Sequence, residues 1–206
     1  MTKTLTFPLA TRRAADPKHP VLQELETYWQ SLRNEGDIPN RADIDPAAID
    51  KALPYTFVLQ RVAPGVARIR VAGQKLHDIL RMDPRGMPVS AFFCADDLST
   101  LAVHLESAFC EPALIAVPVQ GAAGLLRGTV KGAMLLLPMR DDQGDISRVL
   151  GALVTDGLLG ARSRRLRLDD AQPMRMEPLR PTPPGVPQMQ RPDVSRPALR
   201  LVVNNS

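Results

Sequence analysis

The stretch Leu53–Leu80, LPYTFVLQRVAPGVARIRVAGQKLHDIL, limits the fold more than any other part of the chain. Tyr55 to Val62 is rich in β-branched and aromatic residues, which suit a pleated surface. Pro64-Gly65 suits a turn, because proline presets its own φ and glycine accepts a positive one. Val66 to Ala72 then alternates, with Arg68 and Arg70 on one side and Ile69 and Val71 on the other, the pattern of a half-buried strand. Gly73 breaks the alternation, and Leu76, Ile79 and Leu80 recur at helical spacing. A hairpin followed by a helix needs further strands to be stable, and the rest of the chain must supply them.

It does so in order. Leu22, Leu25, Trp29 and Leu32 form the apolar stripe of an amphipathic helix that starts near Pro17 or Pro20 and ends near Gly36. The stripe can pack on the body or pair with a second copy of itself, and spacing alone leaves both open. Asp45-Pro46 reads as an N-cap followed by proline at the first helical position, with a short helix to about Leu53. Asp43, Asp45 and Asp50 have no His or Cys beside them, so capping and ion pairing with Arg41 explain them better than a metal does. Val89 to Phe93 suggests one helical turn. Leu98, Leu101, Ala102, Leu105 and Phe109 mark one face of a longer helix. Three strands follow: Ala113 to Val119, placed at an edge or bulge by Pro118; Thr129 to Met139, central and buried; and Ile146 to Thr155. Hairpins joining these three imply an antiparallel sheet and an α+β fold.

Composition separates the ends from the body. Residues 1–160 carry 17 Lys and Arg against 18 Asp and Glu, whereas residues 161–206 carry nine Arg against four acids. The basic charge therefore belongs to the end of the chain, which also holds eight of the 20 prolines. Residues 161–206 read as a Pro/Arg-rich, disordered, flexible tail. Its last segment, Arg196 to Asn205, could add a strand to a sheet edge. The tail has no aromatics to stack bases, which argues against nucleic acid as a partner. Residues 1–19 read as an arm in which Leu5, Phe7 and Leu9 alternate. No apolar run has the length of a membrane span or the form of a signal peptide, so the expectation is a cytoplasmic protein without a membrane partner. The two cysteines, Cys94 and Cys110, form no metal or disulfide pattern. No nucleophile elbow, phosphate loop or metal spacing appears, so the chain reads as no enzyme.

Two strands, a run of short helices and then three strands is the order of a PAS domain. Tyr28-Trp29, Leu32-Arg33, the cluster Ile38 to Pro46, Leu53-Pro54, Arg70-Val71-Ala72-Gly73 and Gly86 resemble a family of single-PAS proteins common in alphaproteobacteria. Leu136 to Met139 and Val149 to Gly151 extend the resemblance, which covers about residues 20–160, and Arg41, Asp43, Asp45, Pro46 and Gly73 are its motif residues. The resemblance implies a PAS-like five-stranded antiparallel sheet with short helices on one face. It also implies a non-enzymatic regulatory or signalling role as adaptor or sensor through protein–protein contacts, with a homodimer or a regulatory protein as partner. Leu22, Leu25, Trp29 and Leu32 are the candidate contact residues. The alternative is a pocket that senses haem or a small metabolite, walled by Phe57, Leu59, Ile69, Val71, Leu76, Leu80, Phe92, Leu101, Leu105 and Met134. These ten read first as hydrophobic core, and no cofactor is expected. The flavin photosensor motif, a reactive cysteine after an Asn in a short helix, is absent. His104 lies on the long helix where haem-binding relatives place a ligand, but at the margin of its apolar stripe, where a solvent-facing role is expected.

Overall fold

A β-strand buried on one face alternates, whereas one buried on both reads as a continuous apolar run. This chain contains both kinds, and the computed structural model, which describes residues 19–34, 37–121, 130–156 and 165–179, shows why. Strand β1 (Thr56–Ala63) pairs antiparallel with β2 (Val66–Ala72) through the Pro64-Gly65 turn. Strands β3 (Ala113–Gly121), β4 (Lys131–Met139) and β5 (Arg148–Asp156) complete a meander whose last strand returns beside β1. Helices α2 (Gln74–Leu80) and α3 (Leu98–Cys110) belong to the inner face, together with short 3-10 turns at Val89–Phe92 and Ala95–Asp97.

The expected helix at the start is α1 (Pro20–Ser31), with Pro20 in its first turn and His19 as N-cap, whose Nδ1 accepts from the Val21 N–H at 3.3 Å. It lies on the outer face of the sheet. Leu22, Leu25 and Trp29 are buried there with Ile49 and Ala52 against Leu114, Ala116, Leu135, Leu137 and Leu150. Covered by α1 outside and by α3 inside, β3 and β4 are almost wholly buried, which accounts for their unbroken apolar runs. The Trp29 indole Nε1–H donates to the Pro138 carbonyl at 3.1 Å. The β3–β4 ladder stops at Ile115–Leu136, two residues short of that carbonyl, so the indole supplies a donor where the sheet has run out. The alternative that this stripe faces a partner is thereby corrected for three of its four members: their apolar surface is spent on the chain's own sheet. Leu32, at the C-cap, is half-buried.

Glycine is required where the chain crosses itself. A Cβ on Gly73 would lie 2.1 Å from the Leu53 carbonyl oxygen and 2.5 Å from that of Pro54, so only hydrogen fits as the hairpin hands over to α2.

Two expectations about the end of the chain need correction. Among the described residues the sheet has seven strands, not five, because β6 (Leu166–Leu168) and β7 (Arg175–Pro178) both pair with the outer edge of β3, giving the order β2-β1-β5-β4-β3-β6 with β7 on the same edge of β3 as β6. Residues 165–179 are therefore part of the folded body and not of a tail; residues 180–206, with the proposed strand at Arg196 to Asn205, lie outside the described residues. Pro118 explains why the edge partner is split. β6 pairs with Val119–Gly121 and β7 with Ala113–Ala116. Pro118 falls in the gap, where it has no N–H to offer and its carbonyl accepts from the Asp169 N–H at 3.0 Å.

Because Trp29 is a fully buried anchor, Trp29→Ala should lower stability by about 3–5 kcal/mol in urea titration. A loss of self-association with stability unchanged would instead restore the partner-facing reading of α1.

Candidate functional site

The inner face is where a pocket was expected, and the structure brings nine of the ten candidate residues together there. Phe57 and Leu59 of β1, Ile69 of β2, Leu76 and Leu80 of α2, Phe92 of the 3-10 turn Val89–Phe92, Leu101 and Leu105 of α3, and Met134 of β4 belong to one buried cluster. Val71 does not. Val58 pairs with Val71 and Leu59 with Ile69, so Arg70 is an extra residue in β2. This bulge shifts the alternation by one position, and Val71 emerges on the outer face, 47% exposed.

Residues that periodicity missed complete the cluster. Leu166 and Leu168 of β6 are buried in it, and Met174 and Met176 pack against it. The signal was the apolar–Arg–apolar alternation Leu166-Arg167-Leu168, too short to stand out among the surrounding prolines.

Polar groups ring this cluster, and most hold backbone. Asp97, the N-cap of α3, is only 8% exposed. Its Oδ2 accepts from the Leu168 N–H at 3.2 Å and the Arg167 Nε–H at 3.4 Å. The Cys94 N–H donates to the Leu166 carbonyl at 2.8 Å, and Arg165 Nη1 donates to the Phe93 carbonyl at 3.0 Å. These bonds fasten β6 to the start of α3. Near the other end of α3, Glu106 accepts from the Gly65 N–H at 2.8 Å and pairs with Arg61. Gly65 takes a φ of +67° and sits so close to α3 that a Cβ would lie 2.9 Å from that of Ala102. The Gly65 N–H above all, with the Cys110 thiol and Arg61, holds the Glu106 carboxyl below its usual range against the cost of its partial burial. The Cys110 S–H donates to Glu106 at 3.1 Å, which pushes the thiol up and away from reactivity.

The motif residues near α1 build a platform. Asp43 Oδ2 accepts from the Asn40 N–H at 3.0 Å, and Asp45 Oδ1 accepts from the Ala47 N–H at 2.9 Å, ahead of Pro46. The Tyr28 hydroxyl accepts from the Asp45 N–H at 2.7 Å, tying the segment to α1. Arg41 contributes its main chain, donating to the Arg140 carbonyl at 2.8 Å, while its side chain is exposed. The helix expected from Pro46 to Leu53 is instead two 3-10 turns, Pro46–Ile49 and Leu53–Tyr55. Among the described residues, no group of three or more His, Cys, Asp or Glu is placed to hold a metal ion. No helix among them is long and apolar enough to cross a membrane.

Residues 17–154 match the PAS domain family. The chain belongs to that family. Two solved structures are similar at a low level. The "Crystal Structure of Rhodobacter Sphaeroides LOV protein" shares 11% identity at a TM-score of 0.39, covering 67% of this chain and 69% of that one. A structure described as "Flavin Analogue Sheds Light on Light-Oxygen-Voltage Domain Mechanism" shares 14% identity at a TM-score of 0.36, covering 54% of this chain and 83% of that one. No curated protein matches.

PAS membership makes His104 worth placing. It is half-buried instead of facing solvent, and its Nδ1 is buried without a hydrogen-bond partner. It follows Asp97 by seven residues, two helical turns, so it lies on the flank of α3 that meets β6. Burial lowers its pKa from the ordinary value, with Asp170 pulling the other way. That flank faces the β6–β7 segment, so His104 does not fit a ligand to haem in the inner cluster.

Two outcomes follow. Asp97→Ala should speed amide exchange at Leu166–Leu168 by about ten- to a hundred-fold, the loss expected for a buried charged acceptor; exchange unchanged there would mean that β6 is held by its ladder alone. The unfolded chain protonates His104 near pH 6.5 and the folded chain resists, so stability falls as pH drops below that value and the unfolded state takes up the extra proton. His104→Gln should flatten that part of the stability–pH curve, and a slope equal to that of the parent would show that other groups set it.

Proposed function

We propose that this PAS protein is a non-enzymatic cytoplasmic regulator that transmits its signal by contact with a second copy or another regulatory protein, as adaptor or sensor. A sensory or regulatory role follows from the family. The contact-based reading rests on one observation above others: the side chains on the inner face are buried against one another, Phe57, Leu59, Ile69, Leu76, Phe92 and Met134 all at 1% exposure or less. A site for a small molecule needs polar groups converging on the space. Here Asp97 and Glu106 point their carboxylates at the backbone of β6 and of the hairpin turn.

Native mass spectrometry of gently purified protein, set beside its denatured mass, tests this. The expected result is protomers at the sequence mass, alone or in a complex with protein. Excess mass that disappears on denaturation, or a haem absorption band, would overturn the contact-only reading in favour of a ligand sensor.

A further inference from the structure

Helix α1 covers the β3–β4–β5 part of the outer face and leaves the β1–β2 part open. On that open part Val66 is 42% and Val71 47% exposed, and Leu53 beside it is 38% exposed. Leu53, Pro54, Val71 and Ala72 line a shallow depression of about 300 Å³ whose walls are almost entirely apolar. That is about twice the roughly 150 Å³ of an apolar cavity that accepts a benzene-sized ring.

The chain itself leads to this place. His19 caps α1, and its ring lies 6.0 Å from that of Tyr55, next to Leu53 and Pro54. Residues 1–18 therefore join the body at the rim of the open patch. Within them Leu5, Phe7 and Leu9 alternate, so an extended segment would present all three on one side. From Leu9 to His19 the chain spans up to about 33 Å, more than the roughly 23 Å length of a seven-residue strand such as β2.

We propose that residues 1–18 fold back over the outer face of β1–β2 of the same chain, with Phe7 seated in the depression and Leu5 and Leu9 beside it. The arm then covers apolar side chains of the sheet's outer face that α1 leaves exposed. The open patch, the point of entry at Tyr55 and the alternating arm are independent of whether the inner face holds a ligand.

A nitroxide on Ala10→Cys tests this, in a full-length chain in which Cys94→Ser and Cys110→Ser remove the native thiols. With the chain ¹⁵N-labelled, amide signals of Leu53, Val58 and Val71 should broaden, and Phe7→Asp should abolish the broadening. Diluting the ¹⁵N chain with an excess of unlabelled chain should leave the broadening intact. Broadening that appears only when ¹⁵N chains without nitroxide are mixed with unlabelled nitroxide-bearing chains would give the patch to a second copy's arm and overturn the proposal. Absence of broadening at these amides would also overturn it. Hydrogen exchange needs no label: in the chain with native cysteines, Phe7→Asp should speed exchange across β2, and equal exchange in both proteins counts against the docked arm.

Discussion

Burial of the sheet on both faces is the constraint on which the rest of this structure depends. Strands β3, β4 and β5 are too apolar to leave either face in water, so the chain needs a cover on each side. On the inner side α3 supplies Leu101, Leu105, Ala108 and Phe109. On the outer side α1 supplies Leu22, Leu25 and Trp29. Each fully buried large aliphatic side chain contributes about 1.5–3 kcal/mol relative to exposure, so neither cover can be given up without the core opening. Trp29 also adds direction to what is otherwise a non-directional contact. Its single N–H reaches a carbonyl at the end of β4, and Arg33 lies over its ring at 5.3 Å.

The C-terminal strands join the two layers. β6 holds the inner side through Asp97, Cys94 and Phe93. β7 holds the outer side, because Arg175 forms two bonds to the Glu26 carboxylate of α1, at 2.6 and 2.8 Å. Leu179 then donates to the Pro112 carbonyl at 2.7 Å. A segment of 15 residues thus fastens α3, β3 and α1 to one another. Its paired carboxylate and guanidinium are largely sheltered from solvent, where a two-bond geometry keeps more of its value than at an open surface.

What the sequence made legible follows from how far each signal reaches. The hairpin, its turn, the α1 stripe and the α3 face are set by residues within a few positions of one another, and most of each stands where periodicity placed it; Leu32, half-buried at the C-cap of α1, and Leu98, exposed at the start of α3, do not. The inner cluster was legible for the same reason, down to Ile69. Val71 was not, because one inserted residue, Arg70, reverses the side of everything after it, and nothing in the alternation of four residues marks an insertion. Strands β6 and β7 were hidden for a different reason. Three- and four-residue strands bury little on their own, and their stability comes from β3, about 45 to 65 residues earlier in the chain. Proline density in residues 161–206 is evidence about local propensity, and here tertiary pairing overrides it. The target of the α1 stripe could not be read at all, since an apolar face looks the same whether it meets its own sheet or another chain.

Helix α3 is tied to both ends of the sheet. Near its C-terminal end Glu106 grips the β1–β2 turn through Gly65 and Arg61; at its start Asp97 grips β6. Any change in volume on the inner face presses on Leu101 and Leu105, which lie between those two grips. A rigid helix cannot shift there without moving the hairpin, the C-terminal strands or both, because packed interiors transmit displacement instead of absorbing it. The C-terminal strands in turn hold α1 through Arg175 and Glu26. The hairpin carries the open apolar patch. With α1 and α3 committed to the chain's own core, the surfaces that a shift of α3 would move are therefore the hairpin and the C-terminal strands.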